Sequence, residues 1–335
     1  MMTTHTSISR LHALSRRSLK QWLLGLALLS VGLAHAQFPE RAIRIVVPFA
    51  PGGNIDLTAR AISGGMAEAL GQPVVVDNRA GAGGMLGAEQ VARANPDGYT
   101  LLLASTGSLA AAPALYPKLG FDPIKDLRTS RAITRVPLVL VISPASAVNS
   151  LADLIALAKS RGTPLSVAST GNGTSNHLAA ELFQKMAQVK FTHIPYKGSS
   201  QALTDVLGGQ VDLMFDNMPT SLPFIKSGRL RALGVTSTAR SNALPQLPTL
   251  AESGLPGFEA STVTGIVMPA DTPAPVAQRI HAALAKSLAS SKLRDDFAQM
   301  GADLINLSPE SFAGLMRDEG LKWTQVIRDA GVRLE

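Results

Sequence analysis

The chain has 335 residues, 29 of them glycine, with no cysteine and a formal net charge of +7. The lack of cysteine excludes disulfides, thiolate metal sites, a cysteine nucleophile and a lipidated N-terminus. Four cations, Arg10, Arg16, Arg17 and Lys20, sit in the first 36 residues without one acid; leaving them out lowers the net charge to +3, and no basic stripe with interleaved aromatics argues for nucleic acid.

In chain order, the first element is that basic leader. Its apolar run from Trp22 to Leu33 is too short to span a bilayer as a helix, and Ala34-His35-Ala36 matches a small-x-small cleavage site. Residues 1–36 therefore read as a signal peptide cut before Gln37, which predicts a soluble periplasmic protein. Ser15-Arg16-Arg17-Ser18-Leu19 also resembles a twin-arginine signal, so the export route stays open between that and Sec.

Short apolar runs then alternate with helical patterns. Ile43–Val47, Val74–Val76, Thr100–Ala104, Leu138–Ile142, Leu165–Ala168, Phe191–Ile194, Val211–Phe215, Leu230–Val235 and Val263–Met268 read as strands buried on both faces. Helical spacing falls between them, as at Leu151–Lys159, Ser175–Met186, Ser199–Leu207 and Pro275–Ala289. The pattern predicts an α/β fold with largely parallel sheets, and almost no strand from Asp271 onward. Ile133–Ile142 and Ala260–Met268 read as two crossovers. They divide the mature chain into one lobe of residues 37–139 plus 262–335 and a second of 140–261, a layout suited to hinge closure.

Two glycine-rich loops stand out. Phe49-Ala-Pro-Gly-Gly-Asn-Ile-Asp56 follows the first strand, and Ala168-Ser-Thr-Gly-Asn-Gly-Thr-Ser-Asn-His177 follows the fifth. Each precedes an amphipathic stretch: Ile55, Ala59, Ile62, Met66 and Leu70 after the first, and Leu178, Leu182, Phe183 and Met186 after the second. Strand, small-residue loop and helix together gather free backbone N–H groups and the positive end of a helix dipole, a site for an anion. The candidate ligand residues are Phe49, Gly52, Gly53, Asn54 and Asp56 in the first loop, and Ser169, Gly171, Gly173, Thr174, Ser175 and His177 in the second. Ser105 and Thr106, from Ala104-Ser-Thr-Gly-Ser108, join them because ligands in open α/β sheets sit beyond strand C-termini. Tyr196 and Asp216 follow strands and are rim candidates. Asp56 reads as a cap or as a partner for a ligand ammonium.

Other chemistries fail on spacing. In Gly81-Ala-Gly-Gly-Met-Leu-Gly87 the third glycine of a dinucleotide fingerprint would fall on Leu86, and no Walker lysine follows a glycine-rich loop. His177 and Glu181 have metal-ligand spacing, but neither His193 nor His281 supplies a third ligand motif. No G-x-S-x-G elbow or paired carboxylate motif indicates an enzyme.

The segments Val47-Pro-Phe-Ala-Pro-Gly-Gly-Asn-Ile-Asp56, Gly71-Gln-Pro-Val-Val-Val-Asp-Asn-Arg-Ala-Gly-Ala-Gly-Gly84, Pro96-Asp-Gly-Tyr-Thr-Leu-Leu-Leu103, Gly171-Asn-Gly-Thr-Ser-Asn-His-Leu178, Ile194-Pro-Tyr-Lys-Gly198 and Leu207-Gly-Gly-Gln-Val-Asp-Leu-Met-Phe-Asp-Asn217 resemble the Bug proteins. These are periplasmic solute receptors of tripartite tricarboxylate transporters. The resemblance runs in order along the mature chain. It implies a type II periplasmic-binding-protein fold in which two α/β lobes close on a small organic carboxylate. It also implies delivery to a permease of one large and one small membrane subunit. No cofactor or metal is expected, and the receptor is expected to be monomeric and not an enzyme. A receptor feeding a two-component sensor and an exported α/β hydrolase are the alternatives.

Overall fold

The computed structural model describes residues 38–116 and 118–332. The leader and its cleavage before Gln37 lie outside the described residues, and the fold below is that of residues 41–332. It opens with β1 (Ile43–Val47), α1 (Asn54–Leu70), β2 (Val74–Asn78), α2 (Met85–Ala92), β3 (Thr100–Ser105), α3 (Thr106–Leu115) and the long β4 (Leu127–Ile142). Next come α4 (Leu151–Ser160), β5 (Leu165–Ser169), α5 (Ser175–Ala187), β6 (Phe191–Pro195), α6 (Ser199–Leu207), β7 (Leu213–Asn217), α7 (Met218–Lys226) and β8 (Arg231–Val235). The chain ends with β9 (Ser261–Pro269), α8 (Ala274–Leu288), α9 (Ser291–Gln299), β10 (Asp303–Leu307) and α10 (Pro309–Ala330).

The strands follow the order β2-β1-β3-β9-β4-β7-β5-β6, with β8 and β10 also paired to β4. β1 pairs in parallel with β2 and β3, as β5 does with β6 and β7. Every pairing of β4 is antiparallel. This strand changes partners along its length: residues up to Pro137 pair with β9, and from Leu138 onward with β7. The sheet is thus built from two parallel sets joined through antiparallel strands.

All nine predicted strands form, with two differences. β4 begins at Leu127 because Arg128, Arg131 and Arg135 interrupt its apolar sequence without breaking its ladder to β9. β10, where almost no strand was expected, is a half-exposed edge segment paired to β4 through Asp303, Leu304 and Leu307.

The helical faces predicted from spacing are buried. Ile55, Ala59, Ile62, Met66 and Leu70 turn α1 toward the sheet, and Gly71 ends the helix in a left-handed conformation with its N–H on Ala67. Phe183 of α5 packs among Phe191, Phe215 and Phe258, at ring-centroid distances of 5.7, 5.4 and 6.3 Å. Burying a side chain of that size contributes roughly 1.5–3 kcal/mol. α10 packs along α3 and α5, with Trp323 fully buried. These contacts hold the helix N-termini where the strands end.

Candidate functional site

The C-terminal ends of five strands, β1, β3, β5, β6 and β7, each lead into a helix, and all five junctions meet at one cleft. The cleft has about 350 Å³ of empty space, its open mouth included. Its wall contains the N-cap residue of each helix: Gly53 for α1, Ser105 for α3, Thr174 for α5, Gly198 for α6 and Asn217 for α7. Convergence of this many helix N-termini makes the cavity electropositive without a cation.

The caps leave first-turn donors available. Ser105 is the exception, its Oγ accepting the Ser108 N–H at 3.4 Å. Gly53, Thr174, Gly198 and Asn217 accept no such bond through a side chain. Helix N-termini carry backbone N–H groups without intrahelical partners, so these junctions present donors toward whatever occupies the cleft.

Side chains point the same way. Among the described residues, five buried side-chain atoms have no hydrogen-bond partner: Asn54 Nδ2, Ser108 Oγ, Ser175 Oγ, Asn217 Oδ1 and Thr262 Oγ1. Four of these five residues, all but Ser108, line the cleft, each at most 5% exposed. Leaving a buried polar group unpaired costs about 1–3 kcal/mol. Four such groups around one cavity leave its wall with unused hydrogen-bonding capacity facing whatever fills it. None of the described residues lining the cleft carries an ionisable side chain.

The close approach of two of these helices requires a glycine. A Cβ on Gly107, in the first turn of α3, would lie 2.7 Å from the backbone nitrogen of Ser175. Removing the side chain lets the two N-termini sit against each other.

Of the predicted residues, Phe49, Gly53, Asn54, Ser105, Thr174 and Ser175 line the cleft. The others support it. Gly52, at φ +81°, donates its N–H to Asp56. Asp56 is buried behind the loop, accepting also from Arg60 and Asn78. Burial alone would raise its carboxyl, but the bonds from Arg60, Gly52 and Asn78 hold it below the usual carboxylate range. With both oxygens engaged, Asp56 braces the loop instead of facing an ammonium. Thr106 accepts the N–H of Val263, tying α3 to β9.

In the second loop, Ser169 accepts the Gly171 N–H, Gly173 donates to His177, and Thr174 returns its hydroxyl to the Gly171 carbonyl. Tyr196 donates to Asp205, away from the cleft, and burial followed by that carboxylate raises its phenol to about 12. Asp216 is fully buried and accepts from Ser199, Thr220 and Ser221. Burial outweighs those donors and raises its carboxyl above the ordinary value. The carboxylate thereby fixes the first turns of α6 and α7 against each other.

Thr170 and Asn176, which the sequence offers as further uncharged donors of the second loop, also line the cleft, whereas sequence reasoning missed Ile55, Gly198, Ser199, Asn217 and Thr262. Gly198 and Asn217 were findable by the strand-to-helix rule that selected the first two loops. Thr262 lies within β9, and only the pairing of that strand beside β3 and β4 brings it to the cavity.

Comparison with known proteins agrees with this architecture. Residues 58–332 match the model of the TctC family, described as the tripartite tricarboxylate transporter family receptor. Three solved structures are similar over nearly the whole chain. The periplasmic binding protein BugD is 36% identical with a TM-score of 0.85, covering 89% of this chain and 100% of its own. Rpa4515 of R. palustris, solved with adipate, is 35% identical with a TM-score of 0.85 and the same coverage. MatC of Rhodopseudomonas palustris, solved with malate, is 34% identical with a TM-score of 0.83, covering 87% of this chain and 100% of its own. With a family model spanning most of its length and Bug-type periplasmic binding proteins sharing its fold, the chain belongs to the TctC family of tripartite tricarboxylate transporter receptors.

Proposed function

We propose that this chain is a periplasmic receptor that captures a small organic carboxylate, of about four to eight carbons, and performs no chemistry on it. The observation that carries the reading is the cleft itself: five helix N-termini and four unpartnered buried polar atoms converge on a cavity walled by uncharged side chains. A carboxylate needs several convergent donors to offset the loss of its water shell. Of residues 37–139 and 262–335, those the structure describes are assigned to one lobe, and residues 140–261 to the other. The change of partner along β4 at Pro137 and Leu138 supports a hinge there. Phe49, Gly53, Asn54, Ser105 and Thr262 approach the ligand from the first lobe, and Thr170, Thr174, Ser175, Ser199 and Asn217 from the second. Closure buries the acid and presents a composite surface to the large and small permease subunits. Acids such as malate and adipate, bound by the two relatives, are the first to try.

Mass spectrometry of small molecules released from purified, denatured protein, followed by a thermal-shift screen of organic acids, tests the proposal. At one hundred times its dissociation constant a matching acid adds about 2.7 kcal/mol of stability. The Thr262→Val variant should keep its fold and bind that acid roughly fivefold to a hundredfold more weakly, the equivalent of about 1–3 kcal/mol. An acid-free protein that no acid stabilises would count against the receptor reading.

A further inference from the structure

Behind the second loop, out of the cleft, two imidazole rings are stacked. His177, in the first turn of α5, and His193, in β6, lie with ring centroids 4.0 Å apart and planes within 13°. Nδ1 of His177 accepts the N–H of Gly173 at 3.1 Å. An acceptor nitrogen carries no proton, so the neutral ring bears its hydrogen on Nε2, 3.4 Å from Glu181 Oε1. Nε2 of His193 lies 2.6 Å from Ser169 Oγ, which itself accepts the Gly171 N–H at 3.0 Å. The two rings thus hold Gly173 and Ser169 directly, and Gly171 through the Ser169 hydroxyl. Neither ring lines the cleft, yet Thr174 and Ser175 directly after the loop do.

We infer that His177 and His193 are positioning residues, a stacked pair that holds the 169–174 backbone in the shape that aims the N-terminus of α5 at the ligand. The inference rests on the reading of the cleft as an anion site. The Gly173 N–H is the contact on which it turns, since that residue sits at φ +74° immediately before the N-cap. A loop held in place before the ligand arrives does not have to be ordered at the moment of binding, and that raises affinity. The acceptor at Nδ1 is the essential group; the stack sets the plane in which it lies.

The test compares His177→Asn, whose side-chain oxygen can take the place of Nδ1, with His177→Phe, which keeps an aromatic ring and loses the acceptor. Amide hydrogen exchange on the unliganded proteins is the first readout. His177→Phe should exchange faster at Gly173 while residues 179–183 of α5 keep their protection, and His177→Asn should restore the wild-type rate. Calorimetry with adipate and with malate as probes is the second. Loss of one neutral hydrogen bond corresponds to about a twofold to tenfold drop in affinity, expected in the Phe variant and recovered in the Asn variant. Unchanged exchange at Gly173 in a folded His177→Phe protein would overturn the inference, as would equal weakening by both substitutions. If the wild type binds neither probe nor any other acid, the receptor reading fails separately, and the exchange comparison still decides the role of the pair.

Discussion

Acidification should destabilise the protein through His193, and substitution of that residue isolates the effect. Burial, followed by the neighbouring His177, depresses the ring from its ordinary value of 6.5 to about 3. Between those two values the unfolded chain binds a proton that the folded chain refuses, so stability falls as pH falls. Each pH unit below 6.5 costs about 1.4 kcal/mol, or about 2 kcal/mol on going from pH 7.5 to 5. The window matters because other groups act elsewhere or in the opposite sense. Asp56 and Asp212, both depressed, lose their contribution only as pH falls through the carboxylate range, whereas the raised carboxyls of Asp216 and Glu319 favour the folded state as pH falls. His281, also depressed, acts in the same direction as His193. His193→Phe keeps a ring for His177 to stack on and removes one titration, leaving the other groups common to both proteins. Denaturant unfolding followed by the fluorescence of buried Trp323 should show the variant losing about 2 kcal/mol less than wild type between pH 7.5 and 5. Parallel stability profiles for the two proteins would refute the assignment of a neutral, desolvated imidazole.

Asp216→Asn replaces a carboxylate that accepts three hydroxyls with an amide that turns a donor toward at least one of them. The expected loss is about 1–3 kcal/mol of stability, and an unchanged denaturation midpoint would show that the three hydroxyls do not depend on a carboxylate. Gly83→Ala should force apart the segments around Gly83 and Asn172: a Cβ there would lie 2.0 Å from the Asn172 carbonyl oxygen, at φ +60°. Small-angle scattering should report a more open molecule and calorimetry a weaker ligand complex; a variant as compact and as tight as wild type would show that this contact does not govern closure.

Much of the fold was legible because its central strands are buried on both faces and appear as unbroken Val, Ile and Leu runs. The start of β4 and the whole of β10 escaped that criterion because polar residues break their apolar runs. Arg128, Arg131 and Arg135 project from β4, and Asp303 and Asn306 from β10, while intervening positions such as Ala132 and Ile133 are fully buried. The near misses at the site have a different cause. Tyr196 and Asp216 were chosen for their functional groups at the correct strand ends. Successive side chains of a strand point to opposite faces, however, so Asp216 enters the core and Asn217 enters the cleft.

A subtler signal was present in the capping residues. Thr174 and Asn217 are of types that ordinarily cap a helix with their own side chains, and neither does so here. Thr174 returns its hydroxyl to Gly171, and Asn217 Oδ1 is buried without a partner. Gly53 and Gly198 have no side chain with which to cap. Four helices that start at the same cavity therefore lack the side-chain caps that would use up their first-turn donors. A fold assembled for stability alone would satisfy those N–H groups internally, because capping contributes about 1 kcal/mol per helix. Forgoing it at four junctions leaves those N–H groups to be met from the cleft, by water or by the oxygens of a bound anion. A residue-by-residue reading finds good caps at two positions and permissive glycines at the other two. The convergence of all four, set by the strand order β1-β3-β9-β4-β7-β5-β6, is what gathers ordinary helix starts around one cleft.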